Sequence, residues 1–192
     1  MSVSYYDNNA QEFYNGTVNL EMQSLYNEFL PLIPPNGSIL DAGCGSGRDT
    51  LAFKSQGFKV HAIDASAELA QLAETLIKQP VEVTTFQQFN SSVQFDAVWA
   101  CASLLHVPFD ELSLVFNNLA NLLNDGGVFY CSFKYGDDEV ERNGRFFTNL
   151  DEARLNIILA ATSLAAQKLW KTSDLRKGRE KEQWLNAILV KR

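Results

Sequence analysis

Residues 39–47, Ile-Leu-Asp-Ala-Gly-Cys-Gly-Ser-Gly, constrain the fold more than any other part of this chain. Ile39 and Leu40 end a short apolar run preceded by Pro34, Pro35 and Gly37, the pattern of a buried strand entered through a turn. Asp41 interrupts that run, and glycines follow at 43, 45 and 47. Arg48 to Gln56 then carry a helical pattern that stops at Gly57. Strand, glycine turn and helix together let backbone lie against a ligand, because glycine has no Cβ to hold it away. The helix start adds unpaired N–H groups that favour negative charge. An open α/β sheet with a ligand at this turn is the expectation.

The dinucleotide fingerprint G-x-G-x-x-G needs a third glycine to pack helix against strand. Gly43-x-Gly45 fits, but Arg48 fills the third place and Gly47 comes one residue early. Asp41-Ala-Gly43-Cys-Gly45-Ser-Gly47 instead resembles motif I of the class I S-adenosylmethionine (SAM)-dependent methyltransferases. Asp64 follows Gly43 by 21 residues at the end of a strand-like run, near the roughly 20 expected of an acid that accepts from ribose hydroxyls. Gly-Ser-Gly-Arg48-Asp49-Thr50 and Leu104-Leu105-His106-Val107-Pro108 are similar to small bacterial methyltransferases of the tellurite-resistance-like group.

Composition bounds the alternatives. A chain of 192 residues with 46% hydrophobic and 20% charged residues is expected to form one globular domain with a proper core. A net charge of −7 argues against nucleic acid as a generic partner. Cys44, Cys101 and Cys131 lie far apart without C-x-x-C spacing, so neither a disulfide framework nor a metal site is read, and a cytoplasmic location is expected. The first residues lack the basic and apolar regions of a signal peptide, and no apolar run approaches the roughly 20 residues of a membrane span.

Apolar periodicity outlines the rest. Residues 5–17 read as a short helix ending at Gly16, and 18–32 as a second. Strands are expected at 38–42, 58–63, 81–86, 95–101 and 128–133, with helices at 48–56, 66–78 and 110–123 between them. Asn124-Asp125-Gly126-Gly127 reads as a turn, and 135–147 as a long charged loop. Asn149 or Asp151 is expected to cap a helix through about 161. Strands at 168–173 and 182–191 follow, joined by the polar segment 174–181. The resemblance implies a Rossmann-like, seven-stranded, mostly parallel sheet with helices on both faces and a C-terminal antiparallel β-hairpin. Residues 1–34 would supply helices capping the cofactor site.

Carried onto this sequence, the resemblance implies a SAM site at Asp41, Gly43, Cys44, Gly45, Arg48, Asp64, Ala65, Cys101 and His106. Family members often carry an acid after the third strand that reads the adenine amino group; here that place holds Phe86, Gln87 and Gln88. Arg48 is a candidate partner of the cofactor carboxylate, and His106 the candidate catalytic base. Lys134, Tyr135, Arg145, Arg176 and Arg179 fall near the carboxyl ends of strands and are candidates for binding a small, anionic acceptor. The missing acid and the lack of a compelling base leave a second reading open, a SAM-binding regulatory or vestigial module without transferase activity. A nicotinamide dehydrogenase is disfavoured by Arg48 and by the little room for a substrate domain.

Overall fold

The computed structural model describes residues 2–176 and 178–192. Its centre is a seven-stranded sheet of order β3-β2-β1-β4-β5-β9-β8. The strands are β1 (Ser38–Ala42), β2 (Lys59–Asp64), β3 (Glu82–Val83), β4 (Phe95–Ala100), β5 (Leu123–Lys134), β8 (Leu164–Ser173) and β9 (Gln183–Lys191). The first five run parallel; β9 pairs antiparallel with both β5 and β8. The expected sheet and its terminal antiparallel pair are both present.

Strand β4 shows why the sheet is covered twice. Its side chains alternate in direction. Val98 and Ala100 pack into a cluster with Leu112, Val115, Phe116 and Leu119 of helix α6 (Phe109–Asn121) and Leu155, Ile158 and Leu159 of α7 (Glu152–Ala160). Ala97 and Trp99 point the other way, toward Leu25, Tyr26 and Phe29 of α3 (Gln23–Phe29) and Phe53 of α4 (Arg48–Ser55). Helix α5 (Ala67–Ile77) packs Ala70, Ala73 and Ile77 against Ala62 of β2. Ser66 caps α5 by accepting from the Leu69 N–H, and Asp151 caps α7 from Arg154. Both faces of the central strands are therefore dry, as their nearly continuous apolar runs require.

Several boundaries differ from the periodicity. The chain opens with two helices, α1 (Ser2–Asn8) and α2 (Ala10–Thr17), broken at Asn9. The second expected helix shrinks to α3 and a 3₁₀ turn (Leu30–Leu32), since Pro31 cannot continue an α-helical ladder. The expected strand 81–86 keeps only Glu82–Val83; residues 84–89 leave the sheet and turn under the cleft. Residues 124–127 are not a simple turn but an irregularity inside β5: Phe95 pairs with Leu123 and Ala97 with Val128, so extra residues bulge between them.

The largest correction concerns 135–147. Much of this stretch is a β-hairpin, β6 (Glu139–Arg142) and β7 (Arg145–Thr148), rather than a loop. Asn143 and Gly144, at φ of 52° and 72°, make its two-residue turn with the mirror-image twist that Asn-Gly favours. The hairpin folds over the 104–109 segment, where the Thr148 hydroxyl donates to the Val107 carbonyl at 2.7 Å.

Candidate functional site

The strand order reverses between β1 and β4, and a cleft of about 400 Å³ opens at the carboxyl ends of these strands. Ligands of open α/β sheets bind at such switch points, and the volume is in the usual range for a small-molecule site.

One wall is the glycine turn. Gly43 has φ of 84°, and a Cβ there would come within 2.5 Å of the Ser103 Cβ. Only glycine lets this turn pass under the segment that follows β4. Gly47, at φ of 78°, starts α4; a Cβ there would meet Ala73 and Ile77 of α5 at 3.1 and 3.0 Å. The helix-packing role of a third glycine is thus carried one position early.

Two acids stand on either side of the turn. Asp64 lines the cleft half-buried, accepting from the Gly45 N–H at 2.8 Å and the Ser66 N–H at 2.9 Å. Burial raises its pKa against these hydrogen bonds, which favour the carboxylate. Asp41, by contrast, is 1% exposed behind the turn and is not part of the cleft wall; Thr50 donates to it. Burial and the charge of Asp49 push its carboxyl far above the usual range.

Asp49 is the acid that the sequence does not single out. Burial disfavours its charge, but Arg48 holds it as a carboxylate through two hydrogen bonds, with Tyr26 and Trp99 donating as well. Trp99 stacks on Tyr130 at 4.0 Å between centroids, so the aromatic core fixes the donors of Asp49. Arg48 therefore spends two donors on Asp49 and extends Nη1 toward the Thr17 carbonyl at 3.3 Å, still on the cleft wall.

Of the residues expected in the cofactor site, Cys44, Ala65, Phe86, Gln87 and Cys101 all line the cleft. Gln88 is exposed and outside it; Thr84 and Thr85 stand there instead. Burial pushes the Cys101 thiol up to about 12 and Cys44 well above its ordinary value, so neither is a thiolate nucleophile.

His106 ends the 3₁₀ turn Leu104–His106. Its Nδ1 lies 2.6 Å from the Phe146 carbonyl oxygen, which only accepts, so Nδ1 carries the proton. Nε2 is then the acceptor for the Tyr6 hydroxyl at 2.7 Å. Burial, helped by the charges of Arg145 and Lys134 against the Phe146 bond, holds the imidazole pKa down to about 4, while burial keeps Tyr6 protonated. The pair is neutral at pH 7, with its basic lone pair engaged by a hydroxyl.

The basic candidates part company. Lys134 lines the cleft ion-paired with Glu182, and Arg176 does so paired with Asp174 through Nε at 2.9 Å. Arg179 stands half-buried on the same wall. Tyr135 is outside the cleft and donates to Glu152. Arg145 is buried in the wall with its guanidinium over the Tyr5 ring at 4.4 Å and near the Phe147 ring at 5.2 Å. Tyr6, Phe13, Thr17, Ser103, Ser132 and Trp184 complete the wall without having stood out in the sequence, since each is an ordinary core or helix residue until the chain folds. Among the described residues no His/Cys/Asp/Glu group is arranged to hold a metal, and no helix is long and apolar enough to cross a membrane.

Comparison with known proteins agrees with this architecture. A family model described as a methyltransferase domain matches residues 14–168. A putative methyltransferase, YqeM, of Bacillus subtilis is 32% identical over 116 residues, 55% of this chain and 47% of that protein. An uncharacterized methyltransferase of Staphylococcus carnosus is 28% identical over 154 residues, covering 72% of this chain and 74% of its own. Against several of these curated relatives the chain spans about half their length. Among solved structures, Burkholderia thailandensis 1,6-didemethyltoxoflavin-N1-methyltransferase superposes with a TM-score of 0.78 at 21% identity, covering 99% of this chain and 85% of that one. Magnesium protoporphyrin IX methyltransferase from Synechocystis PCC 6803 gives 0.77 at 16% identity, covering 100% and 98%. The fold is shared with both, and the family match extends from α2 into β8: this chain belongs to the methyltransferase-domain family.

Proposed function

We propose that this chain transfers a methyl group from SAM to a small-molecule acceptor held in the cleft above β1 and β4. The observation that carries the reading is the Gly43 turn, closed to any side chain, with the Asp64 carboxylate beside it in the cleft. That pairing suits a ribose and an amino-acid tail lying on bare backbone, and it leaves no pyrophosphate cradle of the dinucleotide kind. Asp64 and Ala65 would hold the ribose, Thr84, Thr85, Phe86 and Gln87 the adenine, and Arg48 with the 43–46 turn the amino-acid tail. The solved relatives with SAM or S-adenosylhomocysteine bound, one of them alongside 1,6-didemethyltoxoflavin, support both cofactor and acceptor size. A closer kinship with the tellurite-resistance-like group rests only on residues 45–50 and 104–108. A cytoplasmic location is supported by three free cysteines.

The bound cofactor supplies a methyl carbon made electrophilic by its sulfonium. The chain's work is then positioning, exclusion of water and removal of a proton where the acceptor brings one. Helices α1 and α2 roof the cleft with Tyr6, Phe13 and Thr17; Ser66 donates to Asp7 at 2.6 Å, tying the roof to α5. Tyr6 and His106 both line the cleft, and the Tyr6 hydroxyl already occupies Nε2, so an acceptor proton passes to the Tyr6 oxygen as the Tyr6 proton moves to Nε2. His106 thus acts through Tyr6, with its other proton anchored on the Phe146 carbonyl.

Calorimetry with S-adenosylhomocysteine tests the cofactor assignment: stoichiometric binding is expected, with none for NADH. A labelled methyl donor offered with a small-metabolite extract tests transfer. Binding without transfer to any acceptor would favour the regulatory reading; absence of binding would defeat both.

A further inference from the structure

The cations of the cleft are matched in all but one deep position. Arg48 is bonded to Asp49, Lys134 to Glu182 and Arg176 to Asp174. Arg179 is half-buried on the wall, within reach of water. Arg145 differs from all of them. It is 8% exposed, its Nε has no hydrogen-bond partner, and no carboxylate pairs with it among the described residues. The rings of Tyr5 and Phe147 recover part of the lost hydration through their faces. The neighbouring polar group, the Tyr6 hydroxyl, accepts from Arg145 and gives its own proton to His106, but it is uncharged and balances no charge.

A buried guanidinium without a counter-ion is costly, and proteins retain one where something supplies the missing charge. The supporting structure is specific. Arg145 is the first residue of β7, and the hairpin that presents it is locked to the rest of the site by Phe146 and Thr148. Its charge acts on His106, so a negative group on Arg145 would hold the remainder of a small molecule against Tyr6 and His106.

We infer that Arg145 anchors a carboxylate on the methyl acceptor, making the acceptor class a small aromatic carboxylic acid. This rests on the transferase reading above. One unmatched cation balances one negative charge, whereas a phosphate monoester at close to two charges leaves one unbalanced. The planar guanidinium fork matches a carboxylate edge. Tyr6, Phe147 and Trp184 on the cleft wall favour a flat ring behind it.

The test uses benzoate as the probe, with benzamide and inorganic phosphate as comparators at constant ionic strength, on the full chain with and without S-adenosylhomocysteine. Benzoate is expected to raise the Tm by about 2 °C at saturation, and benzamide not to. Arg145→Gln should weaken benzoate binding about tenfold or more while leaving S-adenosylhomocysteine affinity within about twofold. Because it removes an unmatched buried charge, it should not lower the ligand-free Tm; a purely structural arginine would. Arg145→Lys, which keeps charge and loses the fork, should fall between and covers the case in which the glutamine variant does not fold. Equal effects of benzoate and benzamide, tighter binding of phosphate than benzoate, or undiminished benzoate binding by both variants would overturn the assignment. Failure of the wild type to bind S-adenosylhomocysteine while still binding benzoate would instead sink the cofactor assignment and leave the anion site standing.

Discussion

At the scale of single residues, the site is governed by which buried charges have partners. Asp49 and Asp41 lie on opposite sides of that rule. Asp49 accepts from Arg48, Tyr26 and Trp99 and stays ionised; Asp41 has Thr50 and burial, and is driven toward its neutral form. Asparagine at Asp41 imitates the neutral carboxyl, so Asp41→Asn should shift Tm by no more than about 2 °C. Asp49→Asn leaves Arg48 buried without its counter-ion and should cost about 3 kcal/mol in urea denaturation. His106 supplies a pH signature. Its folded pKa of about 4 lies below the unfolded 6.5, so as pH falls the unfolded chain takes the proton first. The stability this neutral imidazole contributes is complete above about pH 6.5 and is lost progressively toward pH 4, by up to ~3 kcal/mol. His106→Asn should flatten that limb when urea midpoints are compared at pH 7 and pH 5; an unchanged slope would remove His106 from the account.

At the scale of elements, the glycine turn and the hairpin each present one ligand group, and each turns on a few backbone positions. Gly43→Ala combines a left-handed conformation with a Cβ only 2.5 Å from Ser103. It should abolish S-adenosylhomocysteine binding by calorimetry, with a stability cost of at least 1–2 kcal/mol. Gly144→Val strains the hairpin turn at φ of 72° without touching the glycine turn. It should weaken benzoate binding severalfold and leave S-adenosylhomocysteine binding intact, because β7 carries Arg145 and none of the proposed cofactor contacts. The two elements also differ in how plainly they were written. The glycine turn is legible because spacing and chemistry occur together within nine residues. The hairpin carried its own signal, Asn143-Gly144, but the acidic and basic residues flanking it hide the alternation that would mark strands. Its inner side, with Arg145 and Phe147, is buried only after it has found the 104–109 segment.

At the scale of the whole molecule, the sheet order places segments from both ends of the chain around one cleft. Tyr6 and His106 are 100 residues apart, and Ser2 accepts from the Phe146 N–H at 3.2 Å across 144 residues. Helix α1 has no fully buried residue, so its hold on the rest comes from such polar contacts and from the ring contacts of Tyr5 and Tyr6 rather than from core packing. Tyr6→Phe should therefore change Tm little, by about 1–2 °C, yet slow transfer to any acceptor that must lose a proton, with the greatest loss at low pH. A variant that turns over as fast as wild type at pH 6 would break the relay from Tyr6 to His106. Much of the architecture was legible in apolar periods, since strands covered on both faces must be apolar throughout. The N-terminal helices were less so, because a roof over a cleft needs only a few aromatic contacts. Strand β3 is shorter than its residues suggest for a different reason: Thr84 and Thr85 have strand propensity, but they line the cleft instead.

Legible over a few turns of chain were the strand entering 39–47, the glycine turn, the helix beginning at 66 and the distance from Gly43 to Asp64. Backbone sterics and local hydrogen bonds decide such features before any distant contact exists. The tertiary structure alone decided that Asp49 rather than Asp41 faces the cleft, that His106 keeps its proton on Nδ1, and that of the five proposed acceptor-binding residues Arg145 is the buried one without a counter-charge. Those outcomes depend on which groups end up beside one another out of water, and partners such as Glu182 and Phe146 reach their places only when the sheet has assembled.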